Sequence, residues 1–316
     1  MFMLRTLSLP RLASLPLRLG AVAEGGCMRT FVSALRPRQW GKNLLVVVAP
    51  LAGGRLLEAG VPLRVLAAFA IFAVASSAMY LLNDVADRHR DAAHPVKRNR
   101  PIASGRLSVR RAITGSVLLT SAALTGAALL GPPALVGVIA VYVGTTVLYT
   151  WRLKHEPLYD VVLIASGFLL RALAGGVVTG TPISAWFLVT ATFGALFIAA
   201  GKRASEHANS TGDVGMTRPS LAAYSTGYLR FLWMLAATVT VTAAVVWGLE
   251  VATASARPGL AQASVAPFTL AILRYAWWID RAEAEAPEDV LRNDRGLLTL
   301  GATWGMLLLF STGAIT

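Results

Sequence analysis

A single cysteine, Cys27, stands among the 316 residues, so neither a disulfide nor a cysteine-based metal site can form within one chain. Histidine is nearly as scarce, at four residues, and a bound metal must therefore use oxygen ligands or those few imidazoles. Charge is short as well. Only 14% of residues are charged while 55% are hydrophobic, and the mean hydropathy is +0.61. That balance excludes a soluble domain of this size and makes lipid the solvent. Low-complexity tracts and a second soluble domain are also missing.

What is present is a series of long apolar runs. A hydrocarbon core of about 30 Å needs roughly 20 residues of helix to cross it. Nine runs qualify, near 40–57, 65–82, 112–130, 134–151, 158–178, 185–201, 231–248, 260–279 and 297–315. The expected fold is all-α: a polytopic membrane protein of about nine transmembrane helices, forming one domain over 31–316. Residues 1–30 read as a disordered tail, because Pro10, Pro16 and Arg18 interrupt their apolar stretches and make a cleaved signal a poor fit. Met28 is a second candidate initiator.

The formal net charge of +13 invites a nucleic-acid reading, but its distribution argues against one. Lys and Arg fall in alternate loops, whereas the intervening loops carry only Arg55, Arg64 and Arg257. This is the positive-inside pattern. It puts the N-terminus in the cytoplasm, the C-terminus outside, and the long polar connections at 83–111 and 202–230 on the cytoplasmic side of a bacterial inner membrane.

The strongest chemical signal is Asn83, Asp84, Asp87 and Asp91, where the second run leaves its apolar stretch. Offsets of three and four place the aspartates on one helix face. Carboxylates so close repel unless a cation neutralises them, and hard oxygens suit Mg²⁺, which completes its shell with water and substrate phosphate. Salt bridges at an acidic helix end are the plainer reading. Asn83, Asp84, Asp87 and Asp91 are thus the expected metal ligands, and the three aspartates the expected catalytic groups.

Cations follow at once in Lys97, Arg98 and Arg100, and Lys42, Arg152, Lys154, Lys202 and Arg203 lie on the same side. Their clustering near the acids suits an anionic phosphate substrate. Asp160 and Arg171 fall eleven residues apart in the fifth run, about three turns and one face. An ion within a span faces a cavity or another ion. The acidic connection with Glu288, Asp289 and Asp294 reads as a solvated link or as a cap on the cytoplasmic opening.

These residues carry a family resemblance. Asn83-Asp84-x-x-Asp87-x-x-x-Asp91 is similar to the first aspartate-rich motif of the UbiA superfamily of intramembrane prenyltransferases. Arg36-Pro37-Arg38-Gln39-Trp40-Gly41-Lys42-Asn43, the run from Lys97 to Gly105, and Tyr149-x-x-x-x-Lys154 followed by Asp160 resemble its phosphoribosyltransferase branch. That branch moves phosphoribose from phosphoribosyl diphosphate to decaprenyl phosphate, a polyprenyl phosphate, for cell-wall arabinan. The resemblance implies a cavity open to cytoplasm and bilayer, one Mg²⁺, and substrate contacts from Lys42, Asn83, Lys97, Arg98, Arg100, Tyr149, Lys154, Asp160, Arg171, Lys202 and Arg203.

One departure is informative. Where many members carry a second acidic motif, this chain reads Gly201-Lys202-Arg203-Ala204-Ser205-Glu206. Cations there suit the extra 5-phosphate of a sugar donor and argue against the rival reading, an aromatic prenyltransferase using a polyprenyl diphosphate. A membrane transporter is the rival from another class. Nucleic acid is not expected as a partner, and a homo-oligomer is left open.

Overall fold

A computed structural model describes residues 24–210 and 219–312, which are helical with no strand among them. In chain order the helices are α1 (Glu24–Ala34), α2 (Val48–Ala52), α3 (Val61–Ala86), α4 (Arg88–Ala93), α5 (Val109–Leu130), α6 (Pro133–Trp151), α7 (Tyr159–Thr179) and α8 (Ala185–Ala208). They continue as α9 (Pro219–Ala222), α10 (Thr226–Ala254), α11 (Pro258–Ala263), α12 (Val265–Asp280), α13 (Pro287–Asn293) and α14 (Arg295–Ser311). Residues 1–23 of the expected tail lie outside the described residues, and from Glu24 onward the chain is helical.

Six helices, α3, α5, α6, α7, α8 and α10, are long and apolar enough to cross a membrane. Five of them, all but α7, start where the sequence supplies a capping serine or a proline. Ser108, Ser184 and Ser225 each accept a backbone N–H from the first turn of α5, α8 and α10, and Pro occupies the first turn of α3 and α6, where its missing donor costs nothing. Large apolar side chains such as Leu118 and Leu129 on α5 remain exposed, as a lipid-facing surface requires.

The other three expected spans are built differently. Residues 40–57 do not make one helix. An eleven-residue 3₁₀ segment, Pro37–Val47, leads into the five-residue α2, and Gly54 then turns the chain at φ 69°. The run at 260–279 is divided at Ser264 into α11 and α12, and the last run forms the 17-residue α14.

The long helices pack as a ring. α3 lies on α5, α5 on α6, α6 on α7, α7 on α8 and α8 on α10, while α12 and α14 complete the circuit back to α2. The 3₁₀ segment sits against α3 and α7. A side chain at Gly175 would collide with the carbonyl of Val46, its Cβ falling 1.9 Å from that oxygen, so glycine there allows backbone-to-backbone approach. Trp40 Nε1 donates to Ser77 Oγ at 3.0 Å, and Arg171 Nε donates to Asn43 Oδ1 at 2.7 Å. A 3₁₀ run of this length is uncommon; here α3 and α7 fasten it on both sides.

Candidate active site

The last turn of α3 carries Asn83 and Asp84, Asp87 stands at the junction, and Asp91 lies on α4. The helix therefore breaks within the acidic run, contrary to the single face expected. Hydrogen bonds still cross the break, from Asp87 N to Asn83 O at 2.9 Å and from Asp91 N to Asp87 O at 2.8 Å. The aspartates stay on neighbouring turns but take separate partners. Arg36 pairs with the buried Asp84. Arg100 Nη1 lies 3.2 Å from Asp84 and 2.7 Å from Asp91. Lys154 Nζ is 2.5 Å from Asp87, which also accepts from Asn83 Nδ2 at 3.2 Å.

A cavity of about 660 Å³ opens beside them. Asn83, Asp87, Asp91, Lys97, Arg100, Tyr149, Lys154 and Lys202 all line it. Arg36 and Arg90 line it too, two residues that sequence reasoning placed among ordinary loop cations. The only signal for Arg36 was its place at the head of the Arg36–Asn43 run. The lining sets six Lys and Arg against Asp87, Asp91 and Glu206, so the field inside is positive and attracts anions. His94 also lines the cavity, but its Nδ1 accepts the N–H groups of Val96 and Lys97. Desolvation and the Lys97 charge hold its pKa below the usual imidazole range, so it is a neutral turn former at pH 7.

A second cavity, about 210 Å³, shares Tyr80, Tyr142, Thr146, Tyr149 and Lys202 with the first and adds Lys42 and Arg171. Above it α13 reaches the 3₁₀ segment. Glu288 accepts from Gln39 Nε2 at 2.6 Å and lies 3.2 Å from Lys42 Nζ. Desolvation would raise the Glu288 pKa, yet Lys42 and Gln39 outweigh it and hold the carboxyl below its ordinary range.

Not every expected site residue reaches a cavity. Arg98 is exposed and lines neither. Asp160 and Arg203 are both wholly buried and lie 2.7 Å apart. Arg203 also meets Glu206, and its Nη2 donates to Tyr149 Oη at 3.4 Å. Asp160 accepts from Tyr224 Oη at 2.7 Å and from Ser220 Oγ at 3.4 Å. These two side chains tie α7 to α8 and to the segment around α9. They do not join Arg171, whose partners are Asn43 of the 3₁₀ segment, Tyr142 of α6 and the Gly167 carbonyl of α7.

No three acidic, histidine or cysteine side chains among the described residues form a ready-made metal cage. Mg²⁺ does not need one, since it is usually bound by one or two carboxylates together with substrate phosphate and water. Asp87 and Asp91 supply two hard carboxylates on the cavity wall, with Asn83 beside them. The donor set fits the ion.

Known proteins resemble this chain in sequence and in fold. The model of the UbiA prenyltransferase family matches residues 46–311. The decaprenyl-phosphate phosphoribosyltransferase of Corynebacterium glutamicum is 42% identical over 277 residues, 86% of this chain and 83% of its own. The protein of the same name from Mycolicibacterium smegmatis is 41% identical over 284 residues, 86% of this chain and 89% of its own. Among solved structures, a UbiA homolog from Archaeoglobus fulgidus bound to GPP and Mg²⁺ superposes with a TM-score of 0.65 at 18% identity, covering 90% of this chain and 99% of its own.

Proposed function

This chain belongs to the UbiA prenyltransferase family, and from that membership we propose that it transfers 5-phosphoribose from phosphoribosyl diphosphate to a polyprenyl phosphate, decaprenyl phosphate in its relatives, with release of pyrophosphate. The observation that carries the reading is the cavity lining: carboxylates at Asp87 and Asp91 stand among six cations, and Lys202 occupies the place where a second acidic motif would repel a sugar phosphate. Relatives at 42% and 41% identity bearing the phosphoribosyltransferase name support it.

In this mechanism Lys154, Arg100, Lys97 and Arg90 bind the diphosphate and the 5-phosphate through charge-assisted hydrogen bonds. Asp87 and Asp91, with Asn83, would hold Mg²⁺. When bound, the ion supplies Lewis-acid charge stabilisation to the departing pyrophosphate. An oxygen of the lipid phosphate forms a bond to the anomeric carbon as the bond from that carbon to the diphosphate oxygen breaks, and pyrophosphate leaves with the electron pair. The attacking phosphate is already ionised at neutral pH, so no general base is required. This accords with a cavity lined by no serine or cysteine among the described residues. Arg36 and Arg100 position Asp84 and Asp91 and neutralise them between turnovers.

The cavity opens among the Lys- and Arg-rich connections, which supports a multi-pass protein of the bacterial inner membrane with its active site toward the cytoplasm. The product would feed arabinan synthesis in the cell wall. The test is to incubate purified protein with Mg²⁺, labelled phosphoribosyl diphosphate and decaprenyl phosphate and to extract the lipid. Labelled lipid that disappears with EDTA is the expected result. Absence of labelled lipid from a preparation that prenylates an aromatic acid would overturn the reading.

A further inference from the structure

Between two buried positions of the active site the chain runs at the surface. Asp91 is buried on α4, and Pro101 and Ile102 are buried further on, but no residue from 92 to 100 is. This stretch nevertheless brings Lys97 and Arg100 to the cavity wall, with Arg100 Nη1 2.7 Å from Asp91. Apolar packing does not hold it there, so the task falls to hydrogen bonds. The sequence leaves those bonds short of a cap. α4 ends at His94, whose extended backbone, φ −87° and ψ 133°, is the conformation that the following Pro95 favours. A 3₁₀ turn then forms over Lys97–Asn99, and its leading N–H groups have no partner inside the turn. Val96 stands at the cap position and its side chain makes no capping bond. His94 meets the need from two residues upstream. Its Nδ1 accepts from Val96 N at 3.2 Å and Lys97 N at 3.3 Å, and its carbonyl accepts from Arg98 N at 3.1 Å. Three consecutive donors thus close on one residue, which gives its own N–H to Asp91 O at 3.1 Å. Arg100 N donates to Lys97 O at 2.9 Å and completes the chain of bonds.

We propose that His94 is a positioning residue for the diphosphate donor: through Nδ1 and its carbonyl it fixes the Lys97–Asn99 turn, and so sets Lys97 and Arg100 at their distance from Asp91. This rests on the phosphoribosyl-transfer reading of the outer cavity and names what orders its cations. Acceptance of two N–H groups at Nδ1 leaves the ring proton on Nε2, so the imidazole has no free basic nitrogen and does not act as a general base. Its contribution is geometric. Charge-assisted hydrogen bonds to phosphate depend on distance and angle, and the long side chains of Lys97 and Arg100 start from the backbone that His94 holds. Arg100 has a second duty, because the same guanidinium meets both Asp84 and Asp91. A loosened turn would withdraw it from two carboxylates as well as from the donor. An aspartate at 94 could cap the turn equally well, but it would add a negative charge to the wall of a cavity that receives anions. Neutral imidazole supplies the acceptor without that charge.

The test replaces His94 by Ala, Asn and Gln in the full chain, purified in detergent. The carboxamide oxygen of Asn falls close to the place of Nδ1, and the carboxamide nitrogen of Gln close to that of Nε2. The pair therefore separates a turn held through Nδ1 from a substrate contact made through Nε2. Two quantities are read: KM for each substrate, and the Kd of inorganic pyrophosphate in the presence of Mg²⁺ by titration calorimetry. Loss of both Nδ1 bonds in His94→Ala predicts a donor KM and a pyrophosphate Kd raised about tenfold. KM for polyprenyl phosphate and the unfolding temperature should stay nearly unchanged, because the turn is at the surface. His94→Asn should return to within about threefold of wild type, and His94→Gln should stay near the alanine value. A Gln variant that restores affinity, or an Asn variant that does not, would overturn the proposal. So would an alanine variant with wild-type donor KM and pyrophosphate Kd, or one in which KM rises equally for both substrates while the unfolding temperature drops. If the alanine variant cannot be purified, the comparison of Asn with Gln decides. Wild-type protein that forms no labelled lipid would sink the phosphoribosyl reading alone, and the pyrophosphate Kd values would still decide the role of His94.

Discussion

The junction of α3 and α4 and the meeting of the start of α7 with the end of α8 both place acids against basic residues at the edge of a span, yet the two regions are built for opposite ends. At the first, Asp87 and Asp91 face a cavity, and their partners Lys154 and Arg100 come from loops whose side chains line it too. At the second, Asp160 and Arg203 are sealed, and hydrogen bonds from Tyr224, Ser220 and each other fill the carboxylate's capacity. A cluster whose ions can exchange partners with an incoming phosphate is a site. One whose every polar atom is already engaged and hidden from solvent is a strut.

Replacing Arg203 by Ala should have the largest effect on stability. It would leave Asp160 buried and unpaired at a cost of about 3–5 kcal/mol, seen as a lower unfolding temperature in detergent and poor yield. The double replacement Asp160→Asn with Arg203→Met should recover much of it. A stable Arg203→Ala protein with weakened donor binding would erase the distinction between the regions. Asp87→Asn and Asp91→Asn should do the converse: turnover falls by about 10²- to 10³-fold, while thermal unfolding moves little because both positions border the cavity. Tyr224→Phe removes the hydrogen bond to Asp160 and the acceptor of the Leu158 N–H and should cost about 1–3 kcal/mol in the same unfolding measurement with activity retained.

The smallest expected effect is at Glu288, which is partly exposed. Its pKa is depressed in the folded protein, so the stability it adds is present above the ordinary carboxylate pKa and is lost as pH falls through the lower folded value. With pairing at a partly exposed site worth about 0–1 kcal/mol, Glu288→Gln should unfold slightly earlier than wild type at neutral pH. The two curves should converge as pH falls from the ordinary carboxylate pKa through the lower folded value. A gap that widens in acid would show that Glu288 is not held as the anion by Lys42.

Much of this was legible in the chain. Long apolar runs marked α3, α5, α6, α7, α8 and α10 because hydrocarbon tolerates backbone only when its own hydrogen bonds satisfy it. Asp84, Asp87 and Asp91 stood out because charge is expensive at the membrane edge. The run at 40–57 was misleading. Apolarity alone does not separate a crossing helix from a 3₁₀ segment, and the separation here depends on Ser77 of α3 and on Gly175 and Arg171 of α7. The basic residues were the least legible. Arg36 and Arg98 look alike in sequence as cations flanking the spans, yet one pairs with a site aspartate and the other is exposed.

The amino-acid sequence by itself determined the solvent, the principal spans, the side that carries positive charge and the position of the acidic run, because each follows from composition within a window of residues. Only the tertiary structure decided which charges do chemistry and which hold helices together. Arg171 finds Asn43 across 128 residues and Arg203 finds Asp160 across 43. The cost of a buried ion depends on the atoms that surround it, and helix packing, not order along the chain, chooses those atoms.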